Sequence, residues 1–389
     1  MNVFIPLGII LVLITYFSRY NERSSRSAFL FAFIILFGFS AIRYEFGPDY
    51  FTYREQFLQL KGLGIDGYLD YNNHFEMGFL VFFNLFNSYF VFIIVHSLIW
   101  IGVFYWLFKN NVSYKYLYVV VLMMFINRNL VLLNYVALRS TMASCFFFVG
   151  LMCLCSNSIF DDFPILNIIT FLKNIKHLNL IVYIALILIG AQFHKTLYGL
   201  IIFPFLTNNH KLKKGSEDIV LAVFFVLAFI APLIITPLTQ SLASWIVDIS
   251  PEDTLDKYAH NVDSISTSGG GLGAIFFNVL KVLVASPIIA ALTIENDKKQ
   301  LRLMRFAIVF LLLMIVIEGN VLARYTICFY PVIIIALLSS YSSVNSQQRL
   351  VSLLSFSLLS LYNFYQVAHT THFVSFLHYQ TIFSAPYWQ

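Results

Sequence analysis

Apolar runs follow one another along almost the whole chain, and this feature constrains the fold more than any other. Of the 389 residues, 59% are hydrophobic and only 11% are charged. A water-soluble domain of this length would leave large apolar patches exposed to water, whereas a lipid bilayer accepts them. The sequence therefore predicts an all-α polytopic integral membrane protein, with a single transmembrane domain over residues 1–389.

The number of spans follows from the length of the apolar runs. About 20 residues cross a bilayer, and shorter segments cross when they are tilted. The predicted spans lie near residues 3–18, 28–42, 89–108, 115–127, 130–155, 178–192, 195–207, 218–238, 272–294, 303–318, 322–341 and 349–367. They predict about 12 transmembrane helices, within a range of roughly 10–14, and the first is expected to be a retained span. The run Gly78 to Phe86 is too short to cross, so we expect it to lie at the interface or to re-enter the membrane.

The charges of the loops predict the orientation, because basic residues gather on the cytoplasmic side of membrane proteins. Most basic residues fall in alternate loops: Arg19, Arg23, Arg26, Lys109, Lys115, Lys173, Lys176, Lys211, Lys213, Lys214, Lys298, Lys299, Arg302, Arg305 and Arg349. The two large loops of the other side, 43–77 and 239–271, carry most of the acids and face outward with both termini. Because the basic residues are scattered and form no single stripe, nucleic-acid binding is not expected.

The first outer loop opens with charges, a Gly-Pro turn and three tyrosines, in the run Arg43 to Tyr53 (RYEFGPDYFTY). Arginine binds phosphate bidentately, carboxylates exchange protons, and tyrosine presents a flat amphipathic face of the kind that stacks on sugars. Aromatic and charged residues also flank membrane spans as anchors. The composition of this segment is therefore compatible with an anchoring belt as well as with a binding site.

Further charged residues are predicted on the same outer face: Glu76, Arg128, Arg139, His194, Lys195, Glu318 and Arg324. Arg139 is predicted ten residues into the span 130–155, which places it roughly 15 Å below the outer edge of that helix. A charge at that depth costs several kcal/mol and normally faces a protein interior or a watery cavity, so Arg139 is a functional candidate. The alternative is a structural pair with Glu76 or Glu318. Lys281, inside another span, is a weaker candidate because its long stem can reach the interface.

Several cations directed at one cavity imply an anionic ligand, and arginines suit a phosphate or a pyrophosphate. The tyrosines of the first loop are candidates for stacking on sugar rings, and a carboxylate with a histidine would supply the proton chemistry that activates an acceptor hydroxyl. No metal site is predicted, because the four cysteines lie in apolar runs without zinc spacing: Cys145, Cys153, Cys155 and Cys328.

The motifs of the outer face resemble those of a known family. Arg43, Gly47, Asp49, Tyr50 and Tyr53 fit the Arg-x-x-x-Gly-x-Asp-Tyr-x-x-Tyr signature of the EpsG family, the Wzy-like polysaccharide polymerases. Further pieces fit in order: Glu76-Met77-Gly78-Phe79 for Glu-Pro-Gly-Phe, Leu138-Arg139-Ser140 within Leu-Arg-Gln-x-x-Ala, Phe193-His194-Lys195-Thr196 for Phe-His-x-Ser/Thr, Arg324-Tyr325, and Pro386-Tyr387. Met77 replaces a proline of the pattern and Ser140 replaces a glutamine.

The resemblance implies a glycosyltransferase of GT-C-like architecture in the bacterial cytoplasmic (inner) membrane. Its substrates would be oligosaccharide repeat units linked to undecaprenyl pyrophosphate, as donor and as acceptor, which the enzyme polymerises on the outer (periplasmic) face into O-antigen, capsule or exopolysaccharide. It would use neither a nucleotide sugar nor a metal, and a chain-length-regulating co-polymerase is an expected partner beside membrane lipid.

The roles of the candidate residues follow from this reaction. Arg43, Arg139 and Arg324 are predicted to bind and neutralise the donor pyrophosphate. Tyr44, Tyr50 and Tyr53 are the predicted glycan contacts. The base that deprotonates the acceptor hydroxyl is Asp49, Glu76 or His194, with His194 also a candidate for a phosphate contact.

Two other functions share a basic cavity on the outer face. A flippase or transporter for lipid-linked oligosaccharide needs a passage open to both faces, often built from inverted repeats. We find no internal repeat in the sequence. An O-antigen ligase differs from a polymerase only in its acceptor, and the Asp-Tyr-x-x-Tyr motif favours the polymerase.

Overall fold

The computed structural model describes residues 4–44, 49–61, 75–127, 130, 134, 137–156, 177–207, 210–235, 272–316, 325–369 and 380–381. The chain divides into two compact units. The first comprises Met1–Phe205 with Ser360–Gln389, and the second comprises Leu206–Leu359.

The first unit is a helical bundle. Its helices are α1 (Phe4–Phe17), α2 (Glu22–Ala41), α3 (Tyr50–Leu60), α4 (Met77–Asn84), α5 (Tyr89–Asn111), α6 (Leu117–Ile126), α7 (Leu138–Cys155), α8 (Leu178–Ala191) and α9 (Phe203–Leu206), with 3₁₀ turns at Ser18–Tyr20, Tyr114–Tyr116 and Lys195–Ile202. A short antiparallel pair joins β1 (Arg43–Tyr44) to β2 (Gln380–Thr381). Helix α7 packs against α8 and α5, and α2 packs against α5. The segment 43–77, which the sequence predicts to be an outer loop, contains a helix of its own, α3.

The second unit contains the helices α10 (Glu217–Ile230), α11 (Leu272–Ile294), α12 (Lys298–Val316) and α13 (Thr326–Ser340), and α10 continues into a π-helical turn at Ala231–Ile235. Helix α14 (Ser346–His369) begins in this unit, and the division between the units falls within it. Helix α11 packs against α10 and α12, and α12 packs against α13.

Five helices among the described residues are long and apolar enough to cross a membrane: Glu22–Ala41, Tyr89–Asn111, Leu138–Cys155, Glu217–Ile234 and Gly273–Ile294. Five shorter apolar helices accompany them: Ile5–Tyr20, Tyr114–Ile126, Leu178–Ala191, Lys195–Leu206 and Thr326–Ser340. The prediction of a helical membrane protein is confirmed. The count of about 12 spans and the GT-C-like architecture stay predictions.

The position predicted for Arg139 within its helix is wrong. The helix expected over 130–155 begins at Leu138, because Ala137 takes a non-helical conformation with φ −83° and ψ 64°. Arg139 therefore lies in the first turn of α7, and not ten residues below the start of the helix. Its side chain is 20% exposed.

The two ends of the first unit separate the residues that the sequence assigns to opposite sides of the membrane. At one end, the Ser25 hydroxyl donates to the carbonyl oxygen of Tyr114 over 2.7 Å, and Arg26 donates to the carbonyl oxygen of Lys109. Helix α2 runs from this end to Arg43, which follows its other end. The predicted cytoplasmic basic residues of α2 and α5 thus lie together, away from the candidate site.

Candidate functional site

The centre of the candidate site is an ion pair between the first turn of α7 and the residue before α4. Nη1 of Arg139 lies 2.8 Å from Oε2 of Glu76, and the Glu76 side chain is only 8% exposed. A structural pair with Glu76 is one of the alternatives that the sequence leaves open for Arg139, and the two side chains do pair. A cation in the first turn of a helix opposes the helix dipole, so the carboxylate of Glu76 stabilises Arg139 at this position.

The other carboxylate oxygen of Glu76 is bound by the backbone. The N–H of Lys195 donates to Oε1 of Glu76 over 3.1 Å. Both oxygens of Glu76 therefore accept hydrogen bonds, one from α7 and one from the 3₁₀ turn that follows α8. The side chain of Lys195 is exposed.

Gly78 makes the contact between α4 and this turn possible. The N–H of Phe79 donates to the carbonyl oxygen of Gln192 over 3.2 Å. A Cβ at Gly78 would lie 2.7 Å from the Cβ of Gln192 and 2.8 Å from its carbonyl oxygen. Only glycine permits this approach, which brings Glu76 within reach of Lys195.

Two aromatic side chains from the outer segment hold the guanidinium of Arg139. Its Cζ lies 4.5 Å from the ring centroid of Phe75, in a cation–π contact. The ring of Phe75 stacks on that of Tyr53, with centroids 5.5 Å apart. The positive charge of Arg139 acts on the Tyr53 hydroxyl. Tyr53 thus supports the Phe75 ring that lies against the guanidinium of Arg139.

The surroundings of Tyr53 keep its hydroxyl neutral. Burial raises the pKa of the Tyr53 phenol above its ordinary value of 10.0, while the charge and the hydrogen bonds of Arg139 oppose the shift. Burial has the largest effect of these, so Tyr53 holds its proton over the physiological pH range.

The tyrosines of the motif belong to a buried aromatic cluster, and α3 presents them to it. Tyr50 and Tyr53 are 9% and 6% exposed. With Phe57 and Leu60 they form one stripe of α3 that packs on α4 and α5. The hydroxyl of Tyr89 in α5 donates to the carbonyl oxygen of Tyr50 over 3.5 Å. The faces of Tyr50 and Tyr53 are therefore occupied by protein rings in this structure.

Arg43 is buried just after the C-terminal end of α2, with 1% of its surface exposed. Its Nη1 donates to the Ser40 hydroxyl over 3.0 Å, and that hydroxyl lies 2.7 Å from the hydroxyl of Ser97 in α5. The neighbouring residue in α5, His96, hydrogen-bonds through Nε2 to the carbonyl oxygen of Leu138 over 3.1 Å. A line of buried polar groups thus runs from Arg43 across α5 to the first residue of α7.

His194 begins the 3₁₀ turn that carries Lys195, and it is 6% exposed. Its Nδ1 accepts a hydrogen bond from the N–H of Thr196 over 3.3 Å and lies 2.7 Å from the Thr196 hydroxyl oxygen. His194 and Glu76 therefore meet the same turn. His194 is the residue before it, and Glu76 binds the N–H of its first residue, Lys195.

The remaining candidates lie at or beyond the edge of the described structure. Asp49 is exposed, immediately before α3, and its charge acts on Tyr53. The backbone of Tyr44 pairs with that of Gln380. Arg324 lies outside the described residues, as do Arg128, Glu318, residues 45–48 and the loop 239–271. Within the described ranges, no group of three or more metal-ligating side chains is placed to hold a metal ion.

Sequence reasoning did not identify three partners of the charged residues: the ring of Phe75, the backbone N–H of Lys195 and the side chain of Thr196. A signal was available for the inward orientation of Tyr53. Aromatic and apolar residues recur in α3 at positions 50, 53, 57 and 60, the spacing of one helix face. No signal of this kind marks a backbone N–H.

Comparison with known proteins identifies a family for this chain. The model of the EpsG family matches residues 26–163 and 146–381, which together cover most of the chain. No curated protein and no solved structure matches it. The matched region includes every described member of the site. The chain therefore belongs to the EpsG family and is a membrane protein of polysaccharide biosynthesis.

Proposed function

We propose that this protein is a Wzy-type polymerase that joins oligosaccharide repeat units carried on undecaprenyl pyrophosphate, at the outer face of the bacterial cytoplasmic membrane. The observation that supports it most is the guanidinium of Arg139, held at the first turn of α7 by Glu76, Tyr53 and Phe75. The proposal includes about 12 spans in a GT-C-like arrangement, with α12 and α14 crossing beside the ten apolar helices.

The start of α7 has the chemistry of an anion site. Backbone N–H groups at a helix start carry partial positive charge, and anions bind there readily. Arg139 adds a full charge with several donors in a planar fork, which matches the geometry of phosphate. The Arg139 side chain is 20% exposed, so it is not fully enclosed by protein while Glu76 binds its Nη1.

In the proposed reaction, the pyrophosphate of the donor is the leaving group. The acceptor hydroxyl attacks the anomeric carbon of the donor glycan, the bond from that carbon to the pyrophosphate oxygen breaks, and the pyrophosphate leaves with the bonding electrons. Arg139 stabilises the charge that develops on it. Arg43 and Arg324 are proposed as further contacts of the donor, Arg43 through the end of α2.

The geometry favours different roles for two of the base candidates, Glu76 and Asp49. Glu76 has both oxygens bound, so accepting a proton there would break a contact that holds Arg139. We propose that Glu76 positions Arg139. Asp49 is exposed beside α3 and is the proposed base for the acceptor hydroxyl. Tyr53 is proposed to hold Arg139, with sugar contacts left to Tyr44 and to the exposed part of the outer segment.

The test is a gel profile of surface polysaccharide from a strain that lacks the gene, complemented with the wild type or left without it. If the protein is a polymerase, the complemented strain shows a ladder of chain lengths, and the strain left without the gene shows a single added repeat unit. Loss of every added repeat without the gene would contradict the proposal and indicate a flippase or a ligase.

A further inference from the structure

We propose that His96 positions Arg139 for a lipid pyrophosphate, because its Nε2 fixes the peptide group that joins Leu138 to Arg139. The inference rests on the proposed function for the identity of the ligand. It makes His96 a positioning residue that acts through the backbone of α7, and it assigns His96 no contact with the substrate.

The first step concerns the contact itself. Nε2 of His96 in α5 lies 3.1 Å from the carbonyl oxygen of Leu138. A carbonyl oxygen can only accept, so Nε2 carries a proton and donates the hydrogen bond. The carbonyl of Leu138 and the N–H of Arg139 belong to one planar peptide group, and the Cα of Arg139 lies in the same plane. The hydrogen bond from α5 therefore fixes the plane from which the Arg139 side chain extends.

The second step concerns why this peptide group needs to be fixed. Ala137, the residue before α7, is not helical. The N–H groups of a first turn lack helical partners, and helix ends fray more readily than helix interiors. Arg139 reaches Glu76 over 2.8 Å from this turn. A hydrogen bond from a neighbouring helix thus keeps the guanidinium in place at an end that would otherwise move.

The third step concerns the packing of His96. Its side chain is fully buried, and the centroid of its ring lies 5.9 Å from that of Phe92. Phe92, Leu138 and Tyr53 belong to the same buried cluster. The histidine ring is therefore held by the packed core that also supports the start of α7, and it transmits the position of that core to the peptide group of Arg139.

The fourth step concerns why this residue is a histidine. Within the part of the chain that the structure describes, Nδ1 of His96 is buried and has no hydrogen-bond partner. A buried polar atom without a partner lowers stability, so an apolar side chain of similar size would suit this packing at least as well. Stability alone does not account for a histidine here, whereas a donor to the peptide group of Arg139 does.

Substituted side chains separate the hydrogen bond from the packing. Glutamine places an amide N–H near the position of Nε2, asparagine places its amide near Nδ1, and leucine supplies no donor. The matched control is Asn111→Leu, because Nδ2 of Asn111 lies 3.2 Å from Sδ of Met152 and joins α5 to α7 near the C-terminal ends of these helices.

The probe is farnesyl pyrophosphate, with farnesol and inorganic pyrophosphate as controls for the lipid chain and the free anion. Affinity is measured with purified full-length protein in detergent, alongside polymerisation of lipid-linked repeat units. We expect His96→Leu and His96→Asn to bind the probe about fivefold more weakly than the wild type, and His96→Gln and Asn111→Leu to bind it within about twofold. In the Arg139→Ala background, His96→Leu should add no further loss, because the side chain that it positions is absent.

The inference is overturned if His96→Leu weakens binding as much in the Arg139→Ala background as it does beside the native arginine, since that is the behaviour of a residue that supports the fold alone. It is also overturned if His96→Gln binds as weakly as His96→Leu, if Asn111→Leu loses as much affinity as His96→Leu, or if the wild type does not bind the probe. Binding in the expected pattern by a protein that forms no polymer would contradict the proposed polymerase and leave the role of His96 standing. If His96→Leu does not elute as folded protein, His96→Asn takes its place in each comparison.

Discussion

Arg139 in the first unit and Lys281 in the second are both cations within segments that the sequence assigns to the membrane, and the structure treats them differently. Arg139 meets a carboxylate, an aromatic ring and a tyrosine hydroxyl, and stays partly exposed. Lys281 donates to the amide oxygen of Asn278 over 2.8 Å and to the carbonyl oxygen of Met314.

The two cations also meet opposite ends of their helices: Lys281 lies at the C-terminal end of α12, and Arg139 lies at the N-terminal end of α7. Met314 is among the last residues of α12, where carbonyl oxygens lack helical partners and a cation is favoured. Lys281 therefore caps α12, and Asn278 extends the contact to the carbonyl oxygen of Ala228 in α10. Arg139 lies at a helix start, where a cation is disfavoured unless an acid compensates it. In the proposed function, this difference makes Lys281 a structural clamp and Arg139 part of an anion site.

The largest expected effect comes from removing the guanidinium. Arg139→Ala should insert normally and reduce polymer formation by about 100-fold or more, since one lost donor to a developing charge has an effect of this order. Arg139→Lys should recover little, because an ammonium lacks the planar fork. Polysaccharide gels check both variants in the complemented deletion strain, with immunoblots for membrane levels. Normal chain length in Arg139→Ala would show that Arg139 is not needed for polymerisation, and it would contradict the functional role that separates Arg139 from Lys281.

Glu76→Gln should have a smaller effect. The amide oxygen still accepts a hydrogen bond from Arg139, but the charge that compensates this cation is lost, so we expect polymer formation to fall about tenfold. Glu55→Gln, an exposed change in α3, is the control and should have no effect. Initial rates of polymerisation by purified protein provide the measurement. A loss as complete as that of Arg139→Ala would make Glu76 the base.

Tyr53→Phe should lower the rate about fivefold, since it removes the polar hydroxyl on which the charge of Arg139 acts and keeps the buried ring. Tyr20→Phe is a matched control, because an exposed Tyr20 accepts from Arg19 over 2.6 Å at the other end of α2. The raised pKa of Tyr53 also predicts a pH effect. The folded protein holds this proton more tightly than the unfolded chain. The contribution that Tyr53 makes to stability in this way is fully present below about pH 10 and is lost as the pH rises further.

Thermal unfolding in detergent at about pH 8 and pH 10.5 measures that effect. The wild type should lose more stability than Tyr53→Phe over this interval. Equal losses in the two proteins would show that burial does not raise the pKa of Tyr53 in the folded protein.

Lys281→Met should leave the rate per folded molecule within about twofold of the wild type. It leaves the oxygens of Asn278 and Met314 without the ammonium, so we expect stability to fall by about 1–2 kcal/mol. Unfolding midpoints and initial rates together check this. A folded Lys281→Met protein that has lost polymerisation would place Lys281 among the functional cations.

Much of the site could be predicted because charge is rare in this chain. Glu76, Arg139 and His194 stand out against apolar surroundings, and alternating loop charges assign them to one face without reference to any contact. The contacts confirm that Glu76 meets both Arg139 and the turn that His194 begins.

The rest depends on backbone geometry that side-chain patterns do not record. Ala137 precedes α7 without a glycine or a proline to signal the helix start, so the sequence does not show that Arg139 lies in the first turn of a helix. Helix α4 lies close to the turn after α8 because Gly78 has no Cβ and so leaves room for Gln192, more than a hundred residues later in the chain. Such long-range approaches come from packing, and a local pattern does not show them.

The most direct test of the account is the affinity of farnesyl pyrophosphate for three purified proteins: the wild type, Arg139→Ala and Lys281→Met. The account predicts equal affinity for the wild type and Lys281→Met, and binding at least about tenfold weaker for Arg139→Ala. Equal binding by all three proteins, or weaker binding only in Lys281→Met, would contradict the assignment of the anion site to Arg139.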